Sequence, residues 1–156
     1  MNLPACYDKL NGLLATLGRW LQPVLLLAVR GWWGWSFFLT GKGKLTHLEK
    51  TTEFFTSLNL PLPKLNAIMA GSTECFGGAL LLLGLFSRVV SVPLIFTMVV
   101  AYATADKDAL AAIFSDTDKF VSATPFPFLL AALLVLAFGP GKLSLDALFF
   151  NKNGDK

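Results

Sequence analysis

Residues 65–88, LNAIMAGSTECFGGALLLLGLFSR, make an apolar run of membrane-spanning length with one carboxylate, Glu74, near its middle. No other feature constrains the chain as much. On insertion scales an acidic residue at the centre of a spanning helix costs roughly 3 kcal/mol, and a leucine returns only ~0.5. The six leucines of the run therefore offset about one Glu and leave little over. A group at that depth needs a partner or a task.

The remainder of the chain agrees with a bilayer setting. Only 15% of its 156 residues are charged and the mean hydropathy is +0.62, where a soluble domain would carry nearer a quarter charged residues. An integral membrane protein of one domain, residues 1–156, is expected. The net charge of +3 does not indicate nucleic acid, because the basic residues are scattered singly with no stripe or known motif. Cys6 and Cys75 are far apart and form neither a redox pair nor a zinc spacing. Cys6 follows Leu3-Pro4-Ala5 in a faint likeness of a lipoprotein box, but no apolar stretch precedes it, so it reads as an ordinary residue.

Hydropathy and breakers predict spans at about 21–39, 65–86, 89–105 and 120–139. The expected fold is all-α: an integral membrane four-helix bundle with short interfacial amphipathic helices. Leu10, Leu13, Leu14 and Leu17 fall on one helical face, predicting an amphipathic helix over 7–19 that lies in the interface and feeds span one. Thr46-His47-Leu48-Glu49 has the form of a capping box, and the helix it opens ends before Pro61 and Pro63. His47, the lone histidine, has no second ligand cluster, so no metal is expected. Asp106 is a helix-capping candidate, and Asp116-Thr117-Asp118 an ordinary acidic turn. Six basic residues on each side of the bundle leave the orientation undecided by charge.

Arg30 is the single charge of span one and sits at its expected midpoint. Consecutive spans run antiparallel, which predicts Arg30 and Glu74 at matched depth as a buried ion pair. Such a pair either fixes helix register alone or lines a polar pocket. Ala67, Gly71, Glu74 and Gly78 share a narrow arc of span two, where a neighbouring helix can approach closely. Lys44, at the end of span one, is a candidate for the pocket mouth, able to meet an anionic headgroup or a quinone carbonyl. Trp33, with Trp32 and Trp35, is a candidate wall for a flat ligand or else part of an interfacial belt. Tyr102 is a polar candidate on span three. No catalytic set, nucleotide loop or nucleophile elbow is present in the sequence, so catalytic residues are not assigned.

These residues stand in an order that resembles the DoxX family of small membrane proteins. Arg30-Gly31 comes first, then Gly41-Lys42-Gly43-Lys44-Leu45, then Leu58-Asn59-Leu60-Pro61 leading into span two. Glu74 with Gly77-Gly78 follows, then the Leu-Leu-Gly-Leu-x-x-Arg run over 82–88, and the closing Gly139-Pro140-Gly141-Lys142-Leu143-Ser144-Leu145-Asp146. Thr40 and Tyr102 stand where the family often has histidines, which weakens the reading as a self-sufficient enzyme. The resemblance implies a bacterial-type inner-membrane protein with cytoplasmic termini, acting as a membrane component of oxidoreductase or thiol-stress systems. A quinone- or lipid-facing subunit with quinone as the candidate cofactor is the function it suggests, alongside a soluble redox partner. A non-enzymatic scaffold or anchor is the alternative, and a homo-oligomer is left open.

Overall fold

The computed structural model describes the backbone of residues 3–150 and the side chains of 7–149. The side chain of Cys6, and Lys152 and Lys156 of the charge count, lie outside the described residues. The chain forms α1 (Leu3–Thr46), α2 (Leu48–Ser57), α3 (Pro63–Leu83), α4 (Ser87–Thr104), α5 (Lys107–Ala111), α6 (Thr117–Ser122), α7 (Pro125–Phe138) and α8 (Leu145–Phe150). α1, α3 and α4 are long and apolar enough to cross a bilayer. The protein is an all-α membrane protein. α7, at 14 residues or about 21 Å, is shorter than the ~30 Å hydrocarbon core.

That shortening corrects the expected span over 120–139. A helix continuing from residue 117 would carry Pro125 and Pro127 in its interior, each removing a backbone bond and clashing with the preceding turn. The chain instead ends α6 at Ser122 and restarts with Pro125 in the first turn, where the missing N–H costs nothing. Asp116 caps α6 through Lys119 N–H at 3.1 Å. Asp106 is the N-cap residue of α5, but its side chain makes no cap bond.

Residues 7–19 are helical as expected but run straight into span one, so α1 is a single helix of 44 residues, about 66 Å long. Pro23 is accommodated inside it. At its other end α1 passes through Gly41 and Gly43 as far as Thr46. Thr46 therefore closes a helix instead of opening one. Its hydroxyl donates to the carbonyl of Lys42 at 3.0 Å, and α2 begins with no side-chain cap at His47. The predicted capping box does not form.

Side by side, α1 packs on α3, α3 on α4, α4 on α7, and α7 returns to α1. The interior is filled by Phe37, Leu81, Leu94, Met98, Ala132 and Val135. Large apolar residues such as Phe76, Phe96 and Val89 face outward at about 70% exposure, an arrangement stable only against hydrocarbon. Glycines set the α1–α3 contact. A Cβ at Gly34 would lie 2.7 Å from Leu82 N, one at Gly41 would strike the backbone of Cys75, and one at Gly78 would strike Phe38 N. The two backbones touch at these points, so the register is fixed by sterics.

Candidate ligand site

Glu74 lies on the buried face of α3 and is 1% exposed. Its expected partner was Arg30, and the structure corrects this. Lys44 Nζ donates to Glu74 Oε1 in a short ion pair. The reason is register. Gly41 faces Glu74 and Cys75, whereas Gly34 faces Gly78 and Leu82, so Glu74 lies level with the last turns of α1. Arg30 lies about a dozen residues further down α1, roughly 18 Å along the axis. α1 runs past residue 39 to Thr46, so it is Lys44, beyond the expected end of span one, that the helix carries to the level of Glu74.

Arg30 is equally buried, at 1%, but serves another end of the molecule. Its Nη2 donates to the Leu143 carbonyl at 2.5 Å, and the Asp146 carboxylate acts on it electrostatically. Asp146 in turn accepts from the N–H groups of Phe86 at 2.7 Å and Ser87 at 2.9 Å, at the start of α4. Asp146 N–H donates to the Gly84 carbonyl at 2.9 Å. Gly84 is left-handed, with φ +70°, and a Cβ there would strike Arg30 Nη1 and the Ser144 side chain. Residues 139–146 thus form a strap that folds over the α3–α4 turn with Arg30 beneath it. The first and last elements of the family pattern are one structural unit. Sequence reading missed this pairing, although both elements had been singled out.

Around the Lys44–Glu74 pair two cavities meet. One, of about 320 Å³, lies between α2, α3 and α4 and is lined by Phe54, Phe55, Asn66, Met69, Phe96 and Thr97 among others. The second, of about 280 Å³, reaches towards α7 through Met98, Asp106, Pro125 and Phe128. Lys44 and Glu74 border both. Each is near the lower limit of roughly 300 Å³ for small-molecule sites. The larger one opens beside Phe96 and Met69, which are 68% and 58% exposed, so its mouth faces lipid. Glu74 Oε2 itself is buried with no hydrogen-bond partner. The α2 residues Phe54 and Phe55 and the polar side chains Asn66 and Thr97 were not expected at the site. Their signal was weak, because they come from a loop helix, from the first turn of α3 and from the outward face of α4.

The other sequence candidates are placed elsewhere. Trp33 packs edge-on against Phe128, with ring centroids 5.1 Å apart, in the α1–α7 contact. Trp32 and Trp35 are 72% and 50% exposed and flank a shallow groove on the lipid side of α1. No tryptophan borders the Glu74 cavities. Tyr102 is 2% exposed, stacks on Phe120 at 4.9 Å and donates its hydroxyl to the Phe120 carbonyl at 2.8 Å. It ties α4 to α6. Cys75 is half-buried beside Gly41, as expected of a packing residue.

Comparison with known proteins shows what the chain is similar to. The DoxX family profile matches residues 25–107, a stretch holding Arg30, Lys44 and Glu74. The chain is 34% identical over 132 residues to "Inner membrane protein YphA" of Escherichia coli, covering 80% of this chain and 90% of that protein. It is 31% identical over 121 residues to "Putative oxidoreductase CatD" of Bacillus subtilis, covering 76% of this chain and 84% of that one. No solved structure matches. With its membrane-spanning helices and this match across more than half its length, the chain belongs to the DoxX family.

Proposed function

We propose that the protein is a quinone- or lipid-facing membrane subunit of an oxidoreductase system in the inner membrane, with both termini cytoplasmic. The observation that carries this reading is the Lys44–Glu74 pair at the base of a cavity whose mouth faces lipid. A bilayer-dissolved molecule can enter there sideways, between Phe96 and Met69, without crossing water. Its flat body would lie among Phe54, Phe55 and Leu58, and its polar end would meet the charges. The name of the CatD relative supports the redox setting. The chain contributes binding and orientation, and a soluble partner supplies the electron chemistry.

Small-molecule mass spectrometry of the protein purified in mild detergent tests this. A co-purifying quinone or isoprenoid lipid is expected, and its loss in Glu74→Gln. Retention of the same ligand after Lys44→Met and Glu74→Gln together would sink the assignment and favour a scaffold that only anchors its partner.

A further inference from the structure

The N-terminal part of α1 carries an apolar face that nothing among the described residues covers, and the inference drawn from it does not depend on the ligand site. α1 is about 66 Å long, whereas the hydrocarbon core of a bilayer is ~30 Å. Gly34 faces Leu82 and Gly84 faces Arg30, so the α3–α4 turn is level with Arg30, and Gly141 of the strap lies against Pro23 and Leu26. There the bundle ends. Every residue from Tyr7 to Gln22 is exposed, and this segment carries the helix on for about 24 Å. A helix resting on the membrane surface has to break from its span, and α1 is continuous through Pro23.

The exposed apolar residues of α1 recur in heptads. Tyr7, Leu14, Leu21, Ala28 and Trp35 stand seven apart, at a positions. Leu10, Leu17, Val24 and Gly31 stand seven apart between them, at d positions, so the steps alternate between three and four residues. The seam is uncharged over four heptads. Asp8, Lys9 and Arg19 fall at b, c and f, away from it. The seam lies roughly 150° around α1 from the face that buries Leu26, Arg30, Gly34 and Phe37, so the bundle never occupies it. Its large residues are 49% to 66% exposed, which amounts to roughly 800 Å² per protomer, the contribution of one partner to a standard stable interface.

An identical copy fits this seam best. Two copies inserted in the same way present it in parallel and at the same depth, the arrangement a two-stranded heptad repeat needs. In the projecting part, burial of the leucines drives pairing. Within the bilayer the small residues Ala28 and Gly31 let two backbones approach, and a Cβ at Gly31 would meet nothing within 4 Å. Trp32 and Trp35 edge a shallow groove there that can receive the second helix. We propose that α1 pairs with α1 of a second copy as a parallel coiled coil from Tyr7 to Trp35, making the protein a two-fold dimer with a helical stalk beyond the membrane.

Disulfide cross-linking of the full chain in its own membranes tests this. Single cysteines are placed in a background of Cys6→Ser and Cys75→Ser and oxidised with copper phenanthroline. Leu10→Cys, Leu17→Cys and Val24→Cys lie on the seam, where equivalent side chains of a parallel pair meet, whereas Gly12→Cys and Arg19→Cys lie on the outer face. Linked dimer is expected at least about fivefold more abundant at the three seam positions than at the two outer ones. All five positions are exposed, so the substitutions leave the bundle packing untouched. Adding Leu10→Asp and Leu17→Asp should abolish the link at Val24→Cys. Equal yields at seam and outer positions, or no dimer at any of them, would overturn the proposal. Absence of dimer together with quenching of a fluorophore at residue 17 by doxyl-labelled phospholipid would overturn it in favour of a helix that beds in the membrane surface.

Discussion

Lys44 and Glu74 are bonded to each other but unequally buried: the lysine side chain is 32% exposed and the glutamate 1%. The two residues therefore depend on the bond to different degrees. Lys44 released from its partner can snorkel towards water, whereas Glu74 released from Lys44 has nowhere to go.

Removing the cation should accordingly cost more than removing the anion. Lys44→Met is expected to destabilise the protein by about 3 kcal/mol, the lower end for breaking a buried pair. Glu74→Gln should cost less, and the double substitution should recover most of the Lys44→Met loss. Chemical unfolding in detergent micelles reads all three. Additive losses would show that the pair is not coupled.

Exchanging Arg30 and Glu74 should rescue nothing. At roughly 18 Å along the bundle they have no shared partner, and separated sites contribute independently. The combined variant Arg30→Glu with Glu74→Arg is expected to be at least as unstable as the sum of its parts. Recovery of folding in that variant would contradict the register described for α1 and α3.

Two nearby glycines of α1 should respond oppositely to alanine. A Cβ at Gly41 meets the Cys75 backbone, whereas one at Gly43 meets nothing within 4 Å. Gly41→Ala should cost on the order of 2 kcal/mol through overpacking against main chain that cannot move aside. Gly43→Ala should be neutral or stabilising by up to about 1 kcal/mol through helix propensity. Thermal unfolding of the two single variants gives the comparison.

The strap over the α3–α4 turn should open when its carboxylate is lost. Asp146→Ala deprives the Phe86 and Ser87 N–H groups of their acceptor, and a hydrogen bond to a charged group is worth about 1.5–3 kcal/mol. Faster amide exchange over residues 84–88 is expected, together with cleavage at Lys142 by trypsin. Unchanged exchange at that turn would mean that Asp146 does not hold it.

Helices and the faces they bury were legible because hydropathy, glycine and proline act locally. Ala67, Gly71, Glu74 and Gly78 are all buried, as their shared arc predicts. The partner of Glu74 was not legible from span midpoints, since nothing local shows that α1 continues through two glycines to Thr46. A better signal existed. Gly34 and Gly41 are seven residues apart, as are Gly71 and Gly78, and facing the two pairs brings Glu74 close to Gly41 and Lys44. The strap lay beyond such reasoning, because its bonds run between main-chain groups and side chains 59 to 113 positions apart.

That separation also sets an order of events during biosynthesis. Arg30 enters the membrane with the first span, and the carbonyl that receives it belongs to a residue 113 positions later. At about 5–20 residues per second, the ribosome takes roughly 6 to 23 seconds to cover that distance. For this interval the guanidinium must be sheltered by the insertion machinery or by lipid phosphates. A nascent chain that stops before Leu143 lacks the acceptor that Arg30 uses in the finished fold.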